Sequence, residues 1–464
     1  MLLVTTGLGC APTDNVVGAI AGGPLFGVTA GNAGEMAGGG ANAGGLGGGM
    51  GNGQGGMADS VPSGQSGAGG AGGSLVANDG AAGLGGSFAG TGGRVPVGTL
   101  TDTWFAPVAE YQTGANPVSL ALGDLDKDGA LDLVVANYDD GSVSVLHGEG
   151  NGSFGPKVDY STDPLTLGVA LGDLNTDGVL DIALTSFQSA ALKVLPGIGD
   201  GSFGSMTEAP GSERMSAVVL GDVDNDGHLD AVTAPSGNLG MKFDPTDEPN
   251  KSGSVFLGDG SGQFAEPQYF AKGFDGFSVA LGDVNADGLL DVARVNPRLN
   301  SVSLLFGTGD GSFVLSKDYP TGEMPVFAAF ADLNEDGQLD LLTADSYVDE
   351  LGVLLARGGG EFVPRVAFKT AEFPNHVSIA DLNGDNHLDL IAVDSVADSV
   401  SVFQGIGDGT FAPKIDFSTA DSFAVHSSPL QTAVGDLNGD GVPDFVVVNS
   451  RSSNVIVFLA APAP

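Results

Sequence analysis

From about residue 104 the chain alternates short apolar runs with clusters of Asp, Asn and Gly. VSLALG (118–123), LDLVVA (131–136) and SVSVL (142–146) are typical. The runs are Val- and Leu-rich, short, and none carries a sustained 3.6-residue period. Such runs bounded by turn residues predict β-strands, and no helix. Residues 11–99 follow a different pattern, with stretches such as GGGANAGGLGGGMGNGQGG and SGAGGAGG. Few side chains there can form a core, and glycine raises the entropy lost on ordering. They predict a flexible tether, reaching about 50–60 Å r.m.s. as a coil. Glycine shows no strict period of three, so a collagen helix is excluded.

One nine-residue pattern recurs seven times in the strand-rich region. The copies are DLDKDGALD (124–132), DLNTDGVLD (173–181), DVDNDGHLD (222–230), DVNADGLLD (283–291), DLNEDGQLD (332–340), DLNGDNHLD (381–389) and DLNGDGVPD (436–444). Their first aspartates are spaced 49, 49, 61, 49, 49 and 55 residues apart. A period of this size signals a propeller, solenoid or array. Each unit holds four strand-like pieces, which is one propeller blade. The last unit lacks its fourth piece. The segment FAPVAEY (105–111) has no unit of its own and aligns with FGPKVDY (154–160) and FAPKIDF (411–417). The sequence therefore predicts an all-β, seven-bladed propeller over 100–464, with four antiparallel strands per blade. Strand 105–111 completes the last blade and closes the ring, removing the sheet edges an open array would expose.

The repeated pattern is D-x-[DN]-x-D-[GN]-x-x-D. A hard cation such as Ca²⁺ takes six to eight oxygens. Positions 1, 3 and 5 of a tight loop can direct three side-chain oxygens inward. The position 7 carbonyl adds one and a rigid Asp at position 9 adds up to two. Position 6 needs a positive φ, which suits Gly and the Asn386 of the sixth copy. The candidate ligands of the first loop are Asp124, Asp126, Asp128, Ala130 (carbonyl) and Asp132. In the second they are Asp173, Asn175, Asp177, Val179 and Asp181, and in the third Asp222, Asp224, Asp226, His228 and Asp230. The fourth offers Asp283, Asn285, Asp287, Leu289 and Asp291. The fifth offers Asp332, Asn334, Asp336, Gln338 and Asp340. The sixth has Asp381, Asn383, Asp385, His387 and Asp389. The seventh has Asp436, Asn438, Asp440, Val442 and Asp444. Up to seven Ca²⁺ are expected. Strands flank the loops and no Glu stands at position 12, so they are not EF-hands. Zn²⁺ is not expected, because no Cys or His stands among the side-chain ligands. His228 and His387 fall at position 7, where the backbone coordinates and the ring points away.

On these residues the units over 104–464 resemble FG-GAP/VCBS repeats, the blades of integrin α-chain propellers and of many bacterial surface proteins. The resemblance implies Ca²⁺ in the loop between strands 1 and 2 of each blade. It also implies ligand binding on the opposite face. Asn386 and Pro443 are departures from the repeat pattern, in the sixth and seventh copies.

Net charge is −41 with only 16 basic residues, which argues against nucleic acid and anionic lipid as partners. No apolar run is long enough for a transmembrane helix. The single cysteine, Cys10, rules out a disulfide framework. MLLVTTGLGC resembles the end of a bacterial lipoprotein signal, without a basic n-region and with a short apolar part. Residues 1–10 are then a signal end, Cys10 a lipidation site, and the protein a monomeric outer-membrane lipoprotein or otherwise extracellular. Extra residues at 236–253 and 418–430 fall between strands 2 and 3 and between strands 4 and 1, opposite the acidic loops. Lys242, Phe243, Phe423 and His426 are the candidate ligand-contacting residues there. No catalytic signature occurs. GNGSFG (150–155) and GDGSFG (199–204) lie between strands and are not dinucleotide fingerprints. The expected function is Ca²⁺-stabilised adhesion or binding of a protein or glycan. The alternative is an extracellular hydrolase or polysaccharide lyase, with an acid/base cluster at the ring centre.

Overall fold

The computed structural model of the chain describes residues 98–189, 191–211, 215–235, 253–270, 276–420 and 426–461. Cys10, Lys242, Phe243 and Phe423 lie outside the described residues. Among the described residues, twenty-eight strands form seven four-stranded sheets. The first blade is Pro117–Gly123, Asp132–Asn137, Ser142–Leu146 and Val158–Ser161, paired antiparallel in sequence order. The last is Pro429–Gly435, Asp444–Asn449 and Asn454–Ala460, completed by Phe105–Gln112. Phe105 pairs with Ala460 and Gln112 with Asn454, so the strand preceding the first repeat closes the ring.

Burial explains why the inner strands read as continuous apolar runs. Pro117–Gly123 and Asp132–Asn137 are buried along their whole length. Alternate side chains face the two neighbouring blades. Leu120, Leu133 and Val135 pack with Val446 and Val457 of the last blade. Ala121, Val134 and Ala136 pack with Val169 and Ile182 of the second. Both faces of a blade are core, so a strict apolar–polar alternation is lost. The outermost strand has one free face, and Phe105–Gln112 is largely exposed after its buried Phe105.

Neighbouring blades are pinned by aromatic pairs near their rims. Tyr111 meets Phe154, Tyr160 meets Phe203, Tyr319 meets Phe362 and Phe368 meets Phe411. All are edge-to-face with centroids 5.1–5.5 Å apart. Such pairs contribute about 0.5–1.5 kcal/mol beyond their buried area. At the corresponding place between the second and third blades stands Ala209, and the aromatic contact is missing from that junction's outer strand.

Candidate metal centres in the seven loops

Each acidic loop is folded by its own side chains. In the first, Asp124 accepts from the backbone N–H groups of Asp128 and Gly129, at 3.1 Å each. Asp126 accepts from Asp128, and Asp128 from Ala130. The same bonds recur in every copy. In the second, for example, Asp173 accepts from Asp177 and Gly178, Asn175 from Asp177, and Asp177 from Val179. These Asx turns curl the loop so that positions 1, 3 and 5 face one another. Carboxylate oxygens of Asp124, Asp126 and Asp128 lie within 4.8 Å of one another, as do those of Asp222, Asp224 and Asp230. The other five loops carry Asn at position 3, with the same local hydrogen bonds.

Two residues per loop adopt positive φ. Position 6 does so as expected, from Gly129 at 92° to Asn386 at 68°. No atom lies within 4 Å of a Cβ built on Gly129, Gly227, Gly288 or Gly337, so glycine is required there by conformation and not by space. Position 4 is also left-handed, at Lys127, Thr176, Asn225, Ala286 and Glu335, with φ between 59° and 62°. The repeat pattern does not mark this second turn, although Gly384 and Gly439 at the same position are its signal.

The aspartate at position 9 differs from the other three. It is fully buried and both its oxygens accept backbone N–H bonds. Asp181 accepts from Leu174 at position 2 (3.0 Å) and from Gly197 in the turn between strands 3 and 4 (2.7 Å). Asp132, Asp230, Asp291, Asp340, Asp389 and Asp444 do the same with their own partners. The sequence pattern offers up to two oxygens of this residue to a cation. The structure makes it a latch across the blade, with lone pairs left for an ion, since each carboxylate oxygen has two. Burial pushes the Asp181, Asp230, Asp291 and Asp340 carboxyls up to about 6, and Asp389 and Asp444 up to about 7, opposed by the two backbone bonds and aided by the neighbouring loop carboxylates. Asp132 is raised for the same reason.

The loops also join blades. The position 2 carbonyl accepts from a turn glycine of the next blade, Gly262 to Leu174 at 2.9 Å and Gly409 to Leu333 at 3.0 Å. Gly152 bonds Leu437 at 2.8 Å and so links the first blade to the last. His387 at position 7 turns outward and contacts Glu335 of the preceding loop, which raises its pKa.

The donor set fits a hard divalent cation. It is rich in oxygen, pre-curled, and surrounded by uncompensated negative charge. The imidazole near one loop is a difference from the sequence expectation. His147 Nδ1, Asp126 and Asp132 offer ligand atoms within 4.8 Å of one another.

The opposite face carries the turns between strands 2 and 3 and between strands 4 and 1. His426 lies there, exposed, its Nδ1 2.8 Å from Asp398 Oδ2. Asp398 also accepts from the backbone N–H of Ser428. At that end of the inner strands is a cavity of about 60 Å³, lined in part by Ser119, Phe327, His376 and Gln431 from four inner strands and by Ser278, which immediately precedes a fifth. Burial pushes His376 down to about 3, so its imidazole is neutral at physiological pH.

Comparison with known proteins agrees with this architecture. The sequence matches the family described as FG-GAP-like repeat at residues 124–184, 173–233, 283–343, 332–392 and 381–447, more than half of the chain. The chain belongs to that family. The fold is similar to BBS1N solved in complex with ARL6DN and soaked with mercury (9% identity, TM-score 0.55, 78% of this chain and 98% of that one). It is also similar to virginiamycin B lyase from Staphylococcus aureus (11% identity, TM-score 0.52, 77% and 100%). Both likenesses concern the fold alone. No protein of curated function matches the chain in sequence.

Proposed function

We propose that this protein is an extracellular, surface-displayed binding propeller whose seven loops hold Ca²⁺ and whose opposite face takes a protein or glycan ligand. The observation that carries this reading is the sevenfold recurrence of an oxygen-rich loop wired into its own blade and, in four copies, into the next as well. Side chains at positions 1, 3, 5 and 9 and the carbonyl at position 7 would hold the ion. Bound Ca²⁺ supplies positive charge to a cluster that otherwise repels itself. Seven ions would move the net charge of −41 to −27. For sites with a Kd near 10⁻⁴ M, millimolar Ca²⁺ adds about 1.4 kcal/mol each, or roughly 10 kcal/mol together. That equals the stability of an ordinary domain, so ring integrity would follow external Ca²⁺. The Gly-rich segment and Cys10 fit a lipid-anchored tether that holds the ring off a membrane.

The test is a glycan and protein array probed with the Ca²⁺-loaded protein and again in chelator. Selective capture that is lost in chelator supports the reading. Absence of any selective ligand in Ca²⁺ counts against it.

A further inference from the structure

The first loop departs from most of its siblings at two places that meet in space. Its position 3 is Asp126, where five copies carry Asn. Its blade places His147 immediately before Gly148, the glycine whose N–H bonds Asp132. The corresponding residues of the other blades are Pro196, Leu257, Phe306, Leu355, Gln404 and Leu459. Leu257, Leu355 and Leu459 act as pegs, each against a turn glycine of the following blade (Gly311, Gly409 and Gly152). The third loop shares the position 3 aspartate, as Asp224, but has Leu257 in the peg position. The third loop also carries an imidazole, His228 at position 7, but among the described residues only in the first loop does an imidazole nitrogen lie within 4.8 Å of two loop carboxylates.

His147 is held in place by the same packing. A Cβ on Gly201 of the second blade would lie 2.1 Å from its Cε1, so the ring occupies the space that this glycine leaves. Its Nδ1 has no solvent-exposed surface and no hydrogen-bond partner among the described residues. It lies 3.5 Å from Asp132 Oδ1. That is long for a hydrogen bond. It does match the separation of two ligand atoms on one tetrahedral ion, about 3.3–3.5 Å for bonds of about 2.0–2.1 Å. Asp126 completes the group within 4.8 Å. A nitrogen placed beside two carboxylates, with no hydrogen bond to either, suits a cation that joins the three.

We propose that the first loop is a transition-metal site, binding a borderline divalent ion of the Zn²⁺ class through His147, Asp126 and Asp132. Imidazole nitrogen suits such ions and adds little for Ca²⁺, so this site inverts the preference of an all-oxygen loop. The proposal rests on reading the loops as cation sites, but its readout is separate from theirs.

The test is Zn²⁺ titration of the full-length protein in excess Ca²⁺, with His147→Leu and Asp126→Asn as variants. Each variant restores what sibling blades carry, so both should fold. The wild type should take up one Zn²⁺ equivalent that Ca²⁺ does not displace. Each variant should bind it at least about 100-fold more weakly while keeping Ca²⁺ uptake at the other loops. Pulsed EPR of the Cu²⁺-loaded wild type should show nitrogen coupling from one imidazole. An equivalent that survives in His147→Leu, or no Zn²⁺ uptake by the wild type, overturns the proposal. If Ca²⁺ uptake fails while the single Zn²⁺ equivalent persists, the Ca²⁺ reading falls and this one stands.

Discussion

Phe105 and Phe417 meet edge-to-face across the closing junction of the ring, centroids 5.7 Å apart and planes at 83°. Phe105 precedes all seven repeats, and Phe417 lies on the outer strand of the sixth blade. Phe105 also packs on Phe445 of the seventh, at 4.9 Å. One ring thus joins the start of the domain to its last two blades.

Closure should therefore depend on this contact. Phe105→Ala removes a side chain that is 3% exposed, and should cost about 3–5 kcal/mol in unfolding experiments. Deleting Phe105–Gln112 should do more, since it leaves Asn454–Ala460 as an uncovered edge. Light scattering should then show concentration-dependent association. A monomeric deletion variant of unchanged midpoint would contradict the closure account.

The two kinds of loop aspartate should separate by mutation. Asp181 bonds two backbone N–H groups with or without an ion, so Asp181→Ala should destabilise by about 3 kcal/mol or more even in chelator. Asp177 is exposed and bonds only a neighbouring N–H. Asp177→Ala should matter little in chelator and reduce the gain produced by Ca²⁺. Denaturant melts of both variants in both conditions check this.

Conformation at position 6 gives a third outcome. Gly129 sits at φ 92° with open space around it, so Gly129→Ala should cost about 1–2 kcal/mol through backbone strain alone. Gly129→Asn should cost less, as the natural Asn386 at φ 68° indicates. Equal costs for the two would point to a packing role that the open surroundings do not show.

The buried carboxyls set a pH dependence whose sign reverses with metal. In chelator the folded pKa values of six position 9 aspartates lie near 6 or 7, above the ordinary 3.8. Asp394 is likewise raised to about 7 by burial. The folded state then keeps protons that the unfolded state has released. This contribution is complete below about pH 4 and is lost as pH rises through 6–7. His376, lowered to about 3, acts in the opposite direction but is a single group. The chelated protein should thus melt higher at about pH 5 than at about pH 8. With Ca²⁺ the loop carboxylates are held ionised, and acidification should lower the midpoint instead. Thermal melts across this range in both conditions read the two slopes.

Much of the ring was legible in the sequence because a propeller repeats its information seven times. One loop such as DLNTDGVLD is only a polar turn. Seven on a period of about 49 residues fix blade number, loop position and topology, and the orphan strand 105–111 fixes closure. What was not legible depends on contacts between units. The left-handed turn at position 4 is disguised by ordinary residues such as Lys127 and Thr176, because the fold tolerates αL there. The latch role of Asp132 needs the N–H of Gly148, sixteen residues on. His147 stands outside every nine-residue motif, and only blade folding brings it to Asp132.

The central claim is that the ring is held together by cations in its loops. Differential scanning calorimetry of the full-length protein in millimolar Ca²⁺ and in chelator, at neutral pH, tests it most directly. The account predicts a midpoint raised by about 10–15 °C in Ca²⁺, as expected if about 10 kcal/mol is added. A midpoint that is the same in both would contradict it.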